Sequence, residues 1–127
     1  MKYFVSGGAG FIGSNLIGRL LRSQPDCNIV AFDNLQNGKL SFLKDFNKDS
    51  RFKFVKGDIK DKNKLIESMA GCDVVYHLAS NSDIAKSVSD PTIDFYDGTL
   101  LTHFVLEAMR ITGVKKIVYA SGSGVYG

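Results

Sequence analysis

Glycines set between an apolar run and a helical pattern constrain this chain more than anything else in it. The segment Gly7-Gly8-Ala9-Gly10-Phe11-Ile12-Gly13 follows Tyr3-Phe4-Val5 and leads into Asn15-Leu16-Ile17-Gly18-Arg19-Leu20-Leu21, where apolar residues recur at helical spacing. A strand, a glycine turn and a helix in that order make a diphosphate site. Glycine lets the backbone turn sharply and lets a phosphate approach with no Cβ in the way. The new helix then offers unpaired N–H groups and the positive end of its dipole. The position between strand and helix, more than the glycines by themselves, carries the reading. Gly7, Gly10, Phe11, Ile12 and Gly13 are accordingly expected to bind phosphate.

Downstream, short apolar runs alternate with helical patterns. Candidate strands are Lys2–Val5, Asn28–Phe32, Phe52–Val55, Val74–His77 and Lys116–Ala120. Candidate helices are Phe11–Arg22, a short one near Lys39–Phe46, Lys62–Met69, and a long one from about Thr92 to Thr112. Strands dense in Val, Ile and Phe on both faces suit a parallel sheet covered by helices. With no hairpin signals, the fold class is α/β: a doubly wound parallel sheet of the Rossmann type, ordered 3-2-1-4-5. Punctuation agrees, since Gln24-Pro25-Asp26 ends the first helix, Gly71 the third, and Gly113 the last, which Asp90-Pro91 opens.

The 127 residues suffice for one domain with a real core and are too few for two. The chain stops at Val125-Tyr126-Gly127, soon after the fifth strand and with no covering helix. One face of that strand is therefore expected to be incompletely packed, and the chain to be a fragment of a longer protein. The net charge of +3 is mild, and the lysines from Lys44 to Lys64 are interleaved with Asp45, Asp49, Asp58 and Asp61. That pattern reads as a solvated surface and argues against nucleic acid as a partner. Cys27 and Cys72 stand far apart with no Cys or His at ligand spacing, so free thiols are expected and no metal site. No apolar run approaches the ~20 residues of a membrane span, and the N-terminus enters the first strand at once. A cytoplasmic protein without a membrane partner is expected.

Asp33 ends the second strand, 20 residues beyond Gly13. At that spacing an acidic side chain accepts hydrogen bonds from an adenosine ribose. A carboxylate there repels a 2′-phosphate, and no arginine occurs in Asn34-Leu35-Gln36-Asn37-Gly38-Lys39, so NAD is preferred over NADP. Asn34, Asn37 and Gly38 are expected to border the same group. Asp33 capping a turn is the competing reading, and the nearby glycine turn weighs against it. Loops after the third and fourth strands lie at the same sheet edge, so Asp58, Ile59, Leu78, Ala79 and Ser80 can also reach a ligand. Asp58 would accept from an adenine amino group while Ile59 packs on the ring; equally, Asp58 would cap the helix starting near Lys62. His77 and His103 are read as satisfied structural histidines rather than catalysts.

Taken together, these segments resemble the extended short-chain dehydrogenase/reductase family, in particular its NAD-dependent epimerase/dehydratase branch. The resemblance rests on Ser6-Gly7-Gly8-Ala9-Gly10-Phe11-Ile12-Gly13-Ser14, Asp33-Asn34-Leu35 and Gly57-Asp58-Ile59. It continues through His77-Leu78-Ala79-Ser80, Ser87-Val88, Asp90-Pro91 and Gly98-Thr99 to Val118-Tyr119-Ala120-Ser121 and Val125-Tyr126-Gly127. It implies a tightly held NAD that oxidises a hydroxyl of a nucleotide sugar and then returns the hydride. It also implies a Ser or Thr after the fifth strand that bonds the reacting oxygen, and a Tyr-x-x-x-Lys pair that removes its proton.

This chain departs from that pattern in three places. None of Tyr3, Tyr76, Tyr96, Tyr119 and Tyr126 has a lysine four residues on. The family's hydroxyl position falls on Gly122, leaving its neighbours Ser123 and Ser121 as the catalytic candidates, against a plain Gly-Ser turn. The family's asparagine ahead of the Gly-Thr pair falls on Phe95. Dehydratases of the family carry Thr-Asp-Glu where this chain has Gly122-Ser123-Gly124, which favours an epimerase. The function expected is thus the NAD-binding portion of a nucleotide-sugar epimerase, catalytically incomplete as it stands. A non-catalytic dinucleotide-binding module, or a related dehydratase or oxidoreductase, is the alternative. Relatives commonly dimerise through the fourth helix, whose stripe of Leu100, Phe104 and Leu106 would serve a second copy or, on the plainer reading, pack on the sheet.

Overall fold

A computed structural model describes residues 1–79 and 98–120. The strands are β1 (Lys2–Ser6), β2 (Asn28–Asp33), β3 (Phe52–Lys56), β4 (Val74–His77) and β5 (Lys116–Tyr119). They form one all-parallel sheet in the order β3-β2-β1-β4-β5. The expected order and strand positions hold, with ends moved by a residue. Helix α1 (Phe11–Ser23), a 3₁₀ helix (Leu40–Phe46), α2 (Lys62–Met69) and α3 (Leu100–Thr112) connect the strands. The start expected for the last helix, 92–97, lies outside the described residues.

Alternation along each strand sorts the core into two layers. Phe4, Val30, Phe32 and Val75 meet Leu65 and Met69 of α2 and Leu101, Val105, Ala108 and Met109 of α3. On the other face, Tyr3, Val5, Ile29 and Ala31 meet Ile17, Leu20 and Leu21 of α1 and Leu43 of the 3₁₀ helix. Both faces of the central strands are therefore covered, as an all-parallel sheet requires. Burying one such side chain stabilises the fold by roughly 1.5–3 kcal/mol. Cys27 and Cys72 are free buried thiols in opposite layers, and burial pushes the Cys72 thiol up to about 11.

Three expectations need correction here. The buried face of α3 is Leu101, Val105, Ala108 and Met109, and Leu106 from the expected core stripe is exposed. His103 is exposed too, lining a groove of about 370 Å³ between α2 and α3 with Lys62 and Glu107. Asp61 caps α2, its side chain accepting from the Lys64 N–H, so Asp58 does not. Asp61→Ala is expected to cost ~1 kcal/mol in urea unfolding. The weak packing expected at the last strand is present: Val118 is 48 % and Tyr119 57 % exposed.

Candidate functional site

β1 ends at Ser6, and the chain turns at once. The Gly7 N–H donates to the Phe32 carbonyl at 2.9 Å, which binds the turn to the end of β2. Gly7 has φ +71°, a backbone that L side chains rarely adopt, and a Cβ there would lie 2.9 Å from the Ala79 nitrogen. At Gly13 a Cβ would fall on the Gly7 carbonyl oxygen and 2.9 Å from the Gly8 Cα. The turn therefore closes on its own backbone, and α1 starts against it.

The start of α1 is uncapped by any side chain. Its first bond runs from the Ser14 N–H to the Gly10 carbonyl at 2.9 Å, so the amides of Phe11, Ile12 and Gly13 precede the ladder. The first turn carries no acidic residue. Such a helix end attracts an anion through both its dipole and its free donors. Phe11 and Ile12 are 72 % and 68 % exposed at this end.

Asp33 completes the cradle from β2. One carboxylate oxygen accepts from the Ala9 N–H at 3.0 Å, inside the glycine turn. The other accepts from the Leu35 N–H at 2.8 Å and holds Leu35 at φ +64°, a left-handed conformation costly for a non-glycine residue. Asp33 does brace a turn, as the competing reading had it. A carboxylate has about four acceptor sites, so two remain beyond these amides. Gly38 lies against the same carboxylate: a Cβ on it would come within 2.8 Å of the carboxylate oxygen. The Lys39 N–H donates to the Ala9 carbonyl at 3.0 Å, fastening this loop to the turn. Asn34 and Asn37 are exposed on it, with Asn34 accepting from the Gln36 N–H.

Other expected residues are placed less directly. Asp58 is exposed, and its side chain accepts from the Lys60 N–H at 2.9 Å. Ile59 is buried in one cluster with Phe32 and Leu65, so its side chain serves the core first. Leu78 and Ala79 stand beside Gly7 at the end of β4. Ser80, Ser121 and Ser123, with Ser87, Val88, Phe95 and Gly122, lie outside the described residues.

A buried polar chain behind these loops escaped the sequence reading. The Ser6 hydroxyl lies 2.6 Å from Nδ1 of His77, and Nε2 of His77 lies 3.2 Å from the Thr102 hydroxyl. His77 is 2 % exposed, and burial lowers its pKa to about 4, leaving a neutral ring at working pH. It is satisfied, as expected, and among the described residues it has no carboxylate partner that would make it a base.

The donor set therefore fits a dinucleotide diphosphate on the glycine turn and a ribose diol on Asp33. No described helix is long and apolar enough to cross a membrane.

Comparison with known proteins places this cradle. The chain is 38 % identical to the UDP-glucose 4-epimerase of Mycolicibacterium smegmatis over its whole length, covering 41 % of that protein. It superposes on the dTDP-glucose 4,6-dehydratase of Streptomyces venezuelae, solved with NAD bound, at a TM-score of 0.92, with 32 % identity. All of this chain and 41 % of that one are covered. It matches the UDP-glucose 4-epimerase of Stenotrophomonas maltophila, also with bound NAD, at a TM-score of 0.90 and 30 % identity, covering 100 % and 38 % of the two chains. The chain thus spans about two fifths of the length of these relatives. The family model for the NAD dependent epimerase/dehydratase family matches residues 3–127, so nearly every residue that builds the turn, the sheet and the Asp33 brace falls within it, and the chain belongs to that family.

Proposed function

We propose that the chain binds NAD and forms the cofactor-binding portion of a nucleotide-sugar epimerase. The observation that carries this reading is the Gly7–Gly13 turn closed by the Asp33 carboxylate. The diphosphate sits on the amides of Phe11, Ile12 and Gly13, and the adenosine ribose takes the free acceptors of Asp33 beside Gly38. Asn34, Asn37, Asp58 and Ile59 border the adenosine, and Leu78, Ala79 and Ser80 flank the middle of the cofactor. The bound NAD supplies the hydride acceptor; this chain's residues bind and orient it. UDP-glucose 4-epimerases and NAD-bound relatives among the matches support the assignment.

For sugar chemistry, Ser123 or Ser121 is the hydroxyl proposed to hold the reacting oxygen. No Tyr-x-x-x-Lys pair lies within these 127 residues, so their proposed part is to bind and orient the cofactor rather than to supply the base. This polypeptide alone is expected to give no interconversion of UDP-glucose and UDP-galactose. A second copy is proposed to meet the exposed side of α3, where Leu106 is open to solvent.

The cofactor assignment is tested by titrating NAD and NADP calorimetrically into wild type and Asp33→Ala. Loosening the Ala9 and Leu35 amides weakens both ligands and cancels in their ratio. Loss of the ribose contact and of the repulsion of a 2′-phosphate does not cancel. The preference for NAD over NADP is expected to fall about tenfold or more, as loss of a charge-assisted hydrogen bond implies. An unchanged ratio removes Asp33 from the ribose site.

A further inference from the structure

Among the described residues, the buried chain through Ser6, His77 and Thr102 has one consistent assignment of its protons. The Gly98 carbonyl can only accept, so the Thr102 hydroxyl, 3.1 Å away, donates to it. The Thr102 oxygen then accepts from His77, which puts the ring proton on Nε2. In the neutral ring Nδ1 is bare, and the Ser6 hydroxyl donates to it across 2.6 Å. Both lone pairs of Ser6 Oγ are thereby left for amides. The Leu78 N–H reaches it at 3.0 Å, sharing with the Ser6 carbonyl at 3.1 Å, and the Ala79 N–H reaches it at 3.2 Å. Ser6 is fully buried, so no water can substitute for either partner.

These contacts matter because of where Ala79 stands. Its nitrogen would lie only 2.9 Å from a Cβ on Gly7, so this backbone forms the wall against which the glycine turn rests. β1 and β4 pair Ser6 with His77 directly, which aligns both strand ends on the cleft. We propose that His77 is a positioning residue for the cofactor: held by Thr102 in one tautomer, it turns the Ser6 hydroxyl so that its oxygen fixes the Leu78–Ala79 backbone against the glycine turn. The proposal rests on the reading that this cleft binds NAD.

The test uses the full chain with NAD as the probe, in wild type, Ser6→Ala, His77→Leu, the double variant and His77→Asn. Hydrogen exchange at the Ala79 amide is followed alongside. Ser6→Ala and His77→Leu are each expected to raise the Kd for NAD about fivefold, the worth of one buried hydrogen bond. The double variant should lose no more than the worse single, because the two act through one contact. His77→Asn returns an acceptor near the Nδ1 position and should stay within about twofold of wild type. Ala79 exchange should quicken about tenfold in Ser6→Ala, His77→Leu and the double variant and not in His77→Asn. Folded single variants that bind NAD like wild type, or losses that multiply in the double, overturn the proposal. If wild type itself binds no NAD, the cofactor reading fails, and Ala79 exchange decides the relay: an unchanged rate in Ser6→Ala overturns it.

Discussion

Replacing Gly13 by alanine is expected to cost about 3 kcal/mol of folding stability and to abolish NAD binding at millimolar cofactor. The new methyl group would land on the Gly7 carbonyl and against the Gly8 Cα. Both are backbone atoms of a turn already fixed by the Phe32 carbonyl and the Asp33 carboxylate, so neither can swing aside. Gly10→Ala is the informative companion. Gly10 sits in extended backbone at φ −77° and ψ 173°, and its added Cβ would meet the Gly7 oxygen at a tight 3.3 Å that a shift of a few tenths of an ångström relieves, unlike the overlap at Gly13. Its cost to stability should be about 1 kcal/mol or less. Affinity for NAD should nonetheless drop tenfold or more, because that Cβ stands where the diphosphate is proposed to approach. Thermal unfolding and calorimetric titration of the two variants separate the roles. A Gly10→Ala protein that binds NAD like wild type would sink the diphosphate assignment.

Lowering the pH from 6.5 to about 4 is expected to remove roughly 3 kcal/mol of stability through His77 alone. The unfolded chain protonates this ring near the ordinary 6.5, whereas the native protein, with the ring buried, does so only near 4. Between those values the unfolded state binds more protons, so stability rises with pH. The contribution is fully present above 6.5 and is lost as the pH falls through the native value. Tyr119 stacks on the ring, centroid to centroid, at 5.9 Å. Asp49 and Glu107 are each held below the ordinary value of their carboxyl, chiefly by hydrogen bonds from Arg51 and Arg110. Urea unfolding at half-unit pH steps should show the slope in wild type and not in His77→Asn. Parallel curves for the two proteins would refute it.

The strands, the glycine turn and Asp33 were legible because each is local, a few adjacent residues with one periodicity or one spacing, and the sheet order followed from the rules for strands that alternate with helices. The alternation of Phe4 and Val5 between layers follows from the strand period, once a parallel sheet is recognised. Errors arose where a choice depended on phase or on distant partners. Asp58 and Asp61 both precede α2, and only the backbone at Asp61, at φ −82° and ψ 93°, decides which one caps it. His103 and Leu106 were misassigned because the buried stripe of α3 depends on how that helix docks, which its own residues leave open. The relay was invisible for a simpler reason. Ser6 and His77 are 71 residues apart, and neither looks unusual until β1 and β4 are set side by side in register.

The position of β1 in the middle of the sheet also sets a timetable for synthesis. Of the five strands β1 is made first, yet one of its two neighbours is β4, whose Tyr76 and His77 pair with Val5 and Ser6. At roughly 5–20 residues per second, the central strand waits about 4–14 s for that partner. Until then Val5 and Phe4, both fully buried at the end, have one flank open. The cleft between the glycine turn and Ala79 therefore cannot form until β4 has been made. A nascent chain shorter than about 80 residues carries only the glycine-turn side of this cleft, without the Ala79 wall opposite it.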